Sequence, residues 1–348
     1  MKRSGSITAF ADAPAVEEII RAGAWVVFSV SGGKDSSAAI AATLPLLDSI
    51  GHPPERRFML HSDLGRSEWK STMPHVERLA DHFGLPLRTV RHKTQDMVAR
   101  WERRGELGIQ RWSRGETVNL VGPWSSASLK FCTAEQKIHV MSAHKKDLDG
   151  PVVSVMGIRR DESHGRSRAP FESLDTGMKR HKRSDCMTWN PIVDWTTQDV
   201  FDIHEEQGIP LHEAYHLGST RLSCNFCVLA SINDLDVSSG QDQNRDTYLT
   251  LVEMEIRYAS SFQPARWLGD VRPELLDAES LQGLNEAKHR SERRKALEAS
   301  YPEPYRMRNQ SDLTSSDWGD IARIRKEIAG IMGFSGYVAD PREATMLG

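Results

Sequence analysis

Ala24-Trp25-Val26-Val27-Phe28-Ser29-Val30-Ser31-Gly32-Gly33-Lys34-Asp35-Ser36 is the stretch on which the fold turns. Its first half is a continuous β-branched and aromatic run, which suits a strand buried on both faces of a parallel sheet. The residues from Asp35 to Leu47 are rich in alanine and serine and read as a helix whose small side chains pack closely on that sheet. Between them lies a glycine turn. Backbone N–H groups in such a turn converge on one point, and the dipole of the helix behind it adds partial positive charge there. The result is an anion site. Gly32 and Gly33 allow the tight turn and the close approach of phosphate oxygens, Lys34 supplies a cation, and Ser29, Ser31 and Ser36 offer hydroxyl donors. Asp35 disfavours bare phosphate, so its place is on Mg²⁺ or in orienting its neighbours. The spacing of a Walker A loop, G-x-x-x-x-G-K-[ST], is absent.

Outward from this loop the alternation continues. Phe58 to Ser62 reads as a strand, Met73 to Phe83 as a helix, Leu87 to Arg91 as a strand and Thr94 to Arg103 as a helix. Glu135 to Lys146 reads as helical, and Val152 to Met156 as a strand that ends at Gly157. Thr196-Thr197-Gln198-Asp199 places a capping box before Val200, Phe201 and Ile203, the start of another helix. Strands alternating with helices predict an α/β fold with a doubly wound, mostly parallel sheet. Beyond it the strand signals stop, and Arg245 to Ala259 and Ser316 to Ile331 read as helices. The expected organisation is a nucleotide-binding domain with a cysteine region over residues 1–235 and a helical C-terminal appendage over 236–348.

Charged residues are 27% of the chain and hydrophobic residues 39%, which excludes a membrane class. No apolar run approaches the roughly 18 residues that span a bilayer. The first residues are basic without a following apolar stretch, so a cytoplasmic location is expected. A formal net charge of −3 announces no nucleic-acid binder, but Arg159, Arg160, Arg166, Arg168, Lys179, Arg180, Lys182 and Arg183 crowd one stretch. Such a segment suits either a polyanion, whether nucleotide phosphates or DNA, or a solvated loop. Trp101, Trp112 and Trp124 among Arg103, Arg104, Arg111 and Arg114 suit either base stacking or the edge of a core.

The Ser31-to-Ser36 loop closely resembles the S-G-G-K-D-S loop of the PP-loop superfamily, the ATP pyrophosphatases and the phosphoadenosine phosphosulfate (PAPS) reductases, with their adenine nucleotide alpha hydrolase-like fold. Other segments agree. Asp63 lies just past the second strand, where the reductase branch has an aspartate. Lys137 in Lys130-Phe131-Cys132-Thr133-Ala134-Glu135-Gln136-Lys137 is similar to the family's R-x-C-x-x-x-K segment. Gly157-Ile158-Arg159-Arg160-Asp161-Glu162-Ser163 looks like its G-x-R-x-x-E-S turn, where arginine faces phosphates. The likeness covers roughly Trp25 to Leu229. It implies ATP and Mg²⁺ as ligands, cleavage to AMP and pyrophosphate, and Lys34, Asp35, Asp63, Arg159 and Arg160 as catalytic residues. It also implies Gly157, Glu162, Ser163 and Lys137 as part of the nucleotide site.

Cys224-Asn225-Phe226-Cys227 is a C-x₂-C knuckle that can hold a metal, and Cys132 and Cys186 bring the count to four. Four thiolates suit a [4Fe-4S] cluster or, alternatively, a structural zinc. Cys132 and Cys186 can also be ordinary buried thiols. Cluster-bearing relatives carry an early cysteine pair and a late C-x₂-C. Here the early site is Cys132 alone, and Cys186 is expected to supply the fourth ligand.

The reductases attack with a cysteine near the C-terminus, and no cysteine follows Cys227 in this sequence. Thiolate is the nucleophile that such chemistry requires. The combination resembles the DndC-type ATP pyrophosphatases of bacterial DNA phosphorothioation. That resemblance implies adenylation of a DNA backbone oxygen and sulfur from a partner cysteine desulfurase. The alternatives are a sulfonucleotide reductase that borrows a thiol, a tRNA-thiolating enzyme, and a non-catalytic nucleotide-binding module.

Overall fold

The computed structural model describes residues 12–222, 224–264 and 266–346, and the chain divides into two compact units. The first comprises residues up to Asp96 together with Lys130–Ser238, and the second Met97–Leu129 with the residues from Ser239 onward. The expected break at 235/236 thus falls three residues later, and the first unit is discontinuous. The helix expected after the third strand is real, spanning Met97–Ser113, but it belongs to the second unit.

In the first unit, helix α1 (Pro14–Arg21) precedes strand β1 (Trp25–Val30), helix α2 (Lys34–Ser49), strand β2 (Arg57–Asp63), helix α3 (Thr72–Phe83) and strand β3 (Leu87–Arg91). Strand β4 (Val152–Val155) follows, then two short strands absent from the sequence reading, β5 (Glu172–Leu174) and β6 (Met187–Trp189). The six strands form one sheet in the order β3-β2-β1-β4-β6-β5. All neighbours are parallel except the β5–β6 edge pair. The chain winds outward from β1 to one edge and restarts at β4 toward the other, so the carboxyl ends of β1 and β4 flank the topological switch point where α/β sheets place ligands.

Alternate residues of the central strands divide between two cores. Val26, Phe28, Met59, Val153 and Val155 join α1, α2 and α3 on one face. Val27, Phe58, Leu60 and Val152 join Met178 and Cys186 on the other. This accounts for the unbroken apolar run of β1, since neither face meets water. The capping box at Thr196 is present, with Asp199 bonded back to Thr196 N at 2.7 Å, and it opens the helix Thr197–Gln207. The segment expected as one helix from Glu135 to Lys146 is instead a single turn (Phe131–Thr133), a wide π turn (Ala134–Ile138) and a helix (His139–Lys145).

The second unit contains the helices Met97–Ser113, Arg245–Tyr258, Ala278–Ala299 and Ser315–Met332, in line with the helical C-terminal region expected. Its core is aromatic, with Trp112, Tyr301, Tyr305 and Trp318 packed against Ile321, Ile324 and Ile328. Trp101 and Trp124 are buried as well, with their indole N–H groups bonded to Ser125 Oγ at 3.0 Å and to the Ser260 carbonyl at 2.9 Å. The tryptophans therefore fill a core instead of offering stacking faces. Among the described residues no helix is long and apolar enough to cross a membrane.

One buried charge pair secures β4. Lys145 Nζ lies 2.7 Å from Asp175 Oδ2, and Ser154 Oγ donates to the same oxygen at 2.8 Å. Burial opposes the ionised Asp175, but the Lys145 charge and its hydrogen bond outweigh burial and hold the carboxyl below its ordinary value. Asp175→Asn is expected to lower the unfolding free energy by about 3 kcal/mol, because Lys145 then stays buried without its counter-charge. Urea denaturation should show a lower midpoint at an unchanged slope. A carboxyl depressed in the folded state contributes stability above the unfolded value of about 4 and loses it as pH falls through the lower folded value. Acid titration of stability should show that limb in the natural protein and not in the variant.

Candidate functional site

The loop after β1 is held by backbone geometry that only glycine gives easily. Gly32 sits at φ +77°, and Gly33, in extended conformation, precedes the first residue of α2. The Lys34 ammonium is buried beneath the loop, 3.1 Å from Asp35 Oδ2 and beside the rings of Phe201 and Tyr215 at 5.8 and 5.6 Å. Ser36 Oγ donates to the Gly33 carbonyl at 2.8 Å, which fixes the turn. Ser31 is exposed at its mouth, and Ser29 is half-buried near the end of β1.

The end of β4 arrives at the same place. Gly157 passes so close to the first turn of α2 that a Cβ there would lie inside contact distance of the Asp35 carbonyl and 2.6 Å from the Ser36 nitrogen. Two residues on, the almost fully buried Arg159 donates from Nε to Asp35 Oδ1 at 2.6 Å. Its remaining nitrogens reach Asp161, the Trp195 carbonyl at 3.3 Å and Thr197 Oγ1 at 3.2 Å. Arg166 shares the electrostatic neighbourhood of Arg159, Arg221 and Asp35. Burial, followed by the charge of Arg221, lowers the Arg166 pKa, with Asp35 opposing. Cations therefore gather around the glycine loop, an arrangement suited to an anionic group.

Not every expected residue joins them. Arg160 turns away, with Nε bonded to the Ala169 carbonyl at 2.8 Å, another nitrogen to Asp194, and its guanidinium over Phe171 at 5.2 Å. Its catalytic assignment is corrected on that ground: one residue of extended backbone at Arg159 sends the two neighbours in different directions. Glu162 pairs with Arg166, and Ser163 is exposed. Asp35 has both oxygens engaged by Lys34 and Arg159, so it orients cations and is not disposed as an open metal ligand. Asp63 accepts the Gly65 N–H at 2.7 Å and shapes its own turn.

The cysteines separate. Cys224 is electrostatically coupled to Lys137, Cys227, Glu68 and Cys132, and burial first, then Cys227 and Glu68 against the opposing Lys137, pushes its thiol up to about 12. Lys137 thus sits with the cysteines, and it also acts on His61. Cys186 is 1% exposed within the apolar core under the opposite strand parity, among Val27, Phe58 and Met178. The expected four-thiolate set is corrected accordingly: Cys186 cannot supply the fourth ligand from inside that core. Among the described residues no three His, Cys, Asp or Glu side chains are gathered to hold a metal ion. Neither a four-cysteine iron–sulfur cluster nor a four-cysteine zinc fits these residues.

Three histidines escaped the sequence reading. His61 bonds the Val30 carbonyl at 3.0 Å and Glu68 at 3.2 Å. Burial is the largest influence and opposes its charged form, but the hydrogen bond and charge of Glu68 together with the Val30 carbonyl outweigh it and raise its pKa. His204 Nε2 lies 2.8 Å from Ser37 Oγ, and His75 packs against Gly32. Burial lowers both, His75 to about 4. Tyr215 was missed as well. Its phenol oxygen accepts the Lys34 N–H at 3.1 Å, a link that sequence spacing does not signal.

A family model, the phosphoadenosine phosphosulfate reductase domain, matches residues 25–230. An uncharacterized 37.8 kDa protein from the gpa 5' region of Escherichia phage 186 is 24% identical over 249 residues, 60% of this chain and 68% of that one. Adenosine 5'-phosphosulfate reductase 2 of Bacillus subtilis is 24% identical over 116 residues, 33% of this chain and 45% of that enzyme. Phosphoadenosine 5'-phosphosulfate reductase of Aliivibrio salmonicida is 28% identical over 145 residues, 40% of this chain and 46% of that enzyme. Less than half of either named reductase is therefore matched. The crystal structure of a PAPS reductase from Candida auris in a phosphate complex aligns with 61% of this chain and 86% of its own, at 14% identity and a TM-score of 0.38.

The close approach at Gly157 gives a direct test. Gly157→Ala is expected to introduce about 1–3 kcal/mol of overpacking strain at the first turn of α2. Relief by displacement of that turn is expected to weaken the binding of an anionic ligand at the loop about tenfold or more. Thermal melting with and without ATP should show a folded variant whose nucleotide-dependent rise is much reduced.

Proposed function

Given that the chain belongs to the phosphoadenosine phosphosulfate reductase domain family, we propose that it is an ATP pyrophosphatase of that family that adenylates an acceptor for sulfur incorporation, with the DNA backbone as acceptor. The observation that carries this reading is the convergence of the Lys34 loop and the Gly157–Arg159 turn on one anion-binding point at the switch between β1 and β4. Triphosphate bound there meets converging N–H donors and the guanidinium of Arg159. Attack of an acceptor oxygen on the α-phosphorus breaks its bond to the bridging oxygen, and pyrophosphate leaves with the negative charge. Lys34 and Arg159 are fixed in advance where that charge develops, which is the efficient way to stabilise it. Mg²⁺ enters with the triphosphate as part of the substrate.

Adenylation turns the acceptor oxygen into a leaving group, and the terminal sulfur of a persulfide on a partner cysteine desulfurase then displaces AMP. A second thiol cleaves the resulting S–S bond, leaving sulfide on phosphorus and forming a disulfide with the desulfurase cysteine. The DNA acceptor is supported by the resemblance to DndC-type proteins and by the lack of a cysteine after Cys227 in these 348 residues. Cytoplasmic action follows from that role. A second reading, sulfonucleotide reduction, is supported by the names of two of the relatives above.

Product analysis separates the two. With ATP, Mg²⁺, DNA and a cysteine desulfurase, AMP and pyrophosphate should appear, and Lys34→Ala or Arg159→Ala should each lower the turnover by about 10²–10³. Sulfite released from PAPS or adenosine 5'-phosphosulfate with a thiol donor, without ATP cleavage, would replace the proposal by the reductase reading.

A further inference from the structure

The phenol of Tyr215 holds two chain segments at once. Its oxygen accepts the backbone N–H of Lys34 at 3.1 Å and that of Leu222 at 3.2 Å. Lys34 is the first residue of α2, so its N–H is one of the donors that a helix leaves unpaired at its start, and here the phenol satisfies it. Leu222 stands two residues before Cys224, and its side chain lies against the phosphate loop, 3.4 Å and 3.8 Å from where Cβ atoms of Gly32 and Gly33 would be. Both lone pairs of the phenol are thus committed to N–H groups. Its own proton is given to no acceptor among the described residues, and it stands next to the groups that crowd the anion site, Asp35 and Arg159.

The knuckle is tied down on its far side as well. Asn225 N donates to the Ser67 carbonyl at 2.9 Å, and its side-chain amide donates to the carbonyls of Arg66 and Glu68 at 3.0 and 3.3 Å. Glu68 in turn holds His61, which holds the Val30 carbonyl just before the phosphate loop. Hydrogen bonds thus tie the loop to Leu222, just before the cysteine knuckle, through Tyr215, and tie Asn225 within the knuckle back toward the loop through Glu68 and His61.

We propose that Tyr215 is a positioning residue that makes the Cys224–Cys227 knuckle respond to occupancy of the phosphate loop. A phosphate oxygen at the loop accepts the phenolic proton. A hydroxyl that donates becomes a stronger acceptor, so both N–H bonds to the phenol tighten together. The knuckle is then most firmly held when nucleotide is bound, which couples the thiols to the loaded state of the enzyme. This inference rests on the nucleotide reading of the loop. It adds a residue and a direction of coupling to that reading. Burial keeps the phenol protonated throughout the working range, its pKa pushed up to about 12.

Hydrogen–deuterium exchange on the full chain, with and without ATP and Mg²⁺, tests it, alongside thermal melting that reports binding separately. Nucleotide should raise the melting temperature and slow exchange in peptides covering both residues 31–37 and 217–228. The slowing in the second peptide should be about tenfold, the factor that about 1.4 kcal/mol carries. In Tyr215→Phe, which loses that donor to phosphate, nucleotide should raise the melting temperature less and at saturating concentration still protect the loop, while the 217–228 peptide stays within about twofold of its unliganded rate. If nucleotide binds the natural protein and protects the loop but leaves 217–228 unchanged, or protects it equally in Tyr215→Phe, the coupling is overturned. Should the variant fail to fold, the natural protein's two peptides decide alone. If nucleotide neither stabilises nor protects the natural protein, the nucleotide reading itself has failed and the coupling falls with it.

Discussion

The site depends on one steric fact, the passage of Gly157 across the first turn of α2 with no room for a side chain. That approach brings the end of β4 against the start of the helix that follows β1. It lets Arg159, two residues on, meet Asp35 from below the surface. Without it the guanidinium and the loop would stand on separate elements with water between them. With it, the cations and the N–H donors share one orientation, set by the sheet and not by their own side-chain torsions. The loss of freedom that binding would otherwise cost has been met in folding.

The long elements were legible because their causes are local. A run such as Val26-Val27-Phe28 can be satisfied only by burial on both faces, and a glycine turn before a helix of small residues has few other uses. The parts that were not legible depend on parity or on distant neighbours. Arg159 and Arg160 are adjacent and chemically equal, yet the extended backbone at Arg159 gives one to Asp35 and the other to Asp194. Cys186 precedes β6 by one residue and lies in the core that Val27 and Phe58 build, so counting cysteines could not reveal that it is absent from the groups acting on Cys224. β5 and β6 span three residues each, too few for a periodicity to register. The assignment of Met97–Leu129 to the second unit is a tertiary outcome that no local pattern encodes.

The separation of Cys186 changes the chemistry available at the knuckle. Cys224 shares its surroundings with Cys132 and Cys227, with Lys137, a cation whose charge favours its thiolate, and with Glu68, whose charge opposes it. Burial dominates both and keeps Cys224 protonated in the described state. A thiol in that condition is a poor nucleophile. Whatever draws on that sulfur must therefore alter its surroundings first, and Tyr215, Asn225 and Glu68 tie the knuckle segment to the anion site.

Charge is distributed with the same economy around the loop. The charged groups around it, Lys34 and Arg159 buried beside Asp35 with Arg166 and Arg221 nearby, favour an anionic ligand. Two of the groups that brace it from behind are histidines kept neutral by burial, His204 on Ser37 and His75 against Gly32. A neutral imidazole offers one donor and one acceptor without adding a charge to a buried site, which a lysine or a carboxylate in the same place could not do. His61 differs because Glu68 lies beside it, and the pair together add little net charge behind the loop. The bracing is thus nearly invisible to the ligand's electrostatics, and the field at the mouth is left to the arginines and the helix start, the groups whose orientation Gly157 sets.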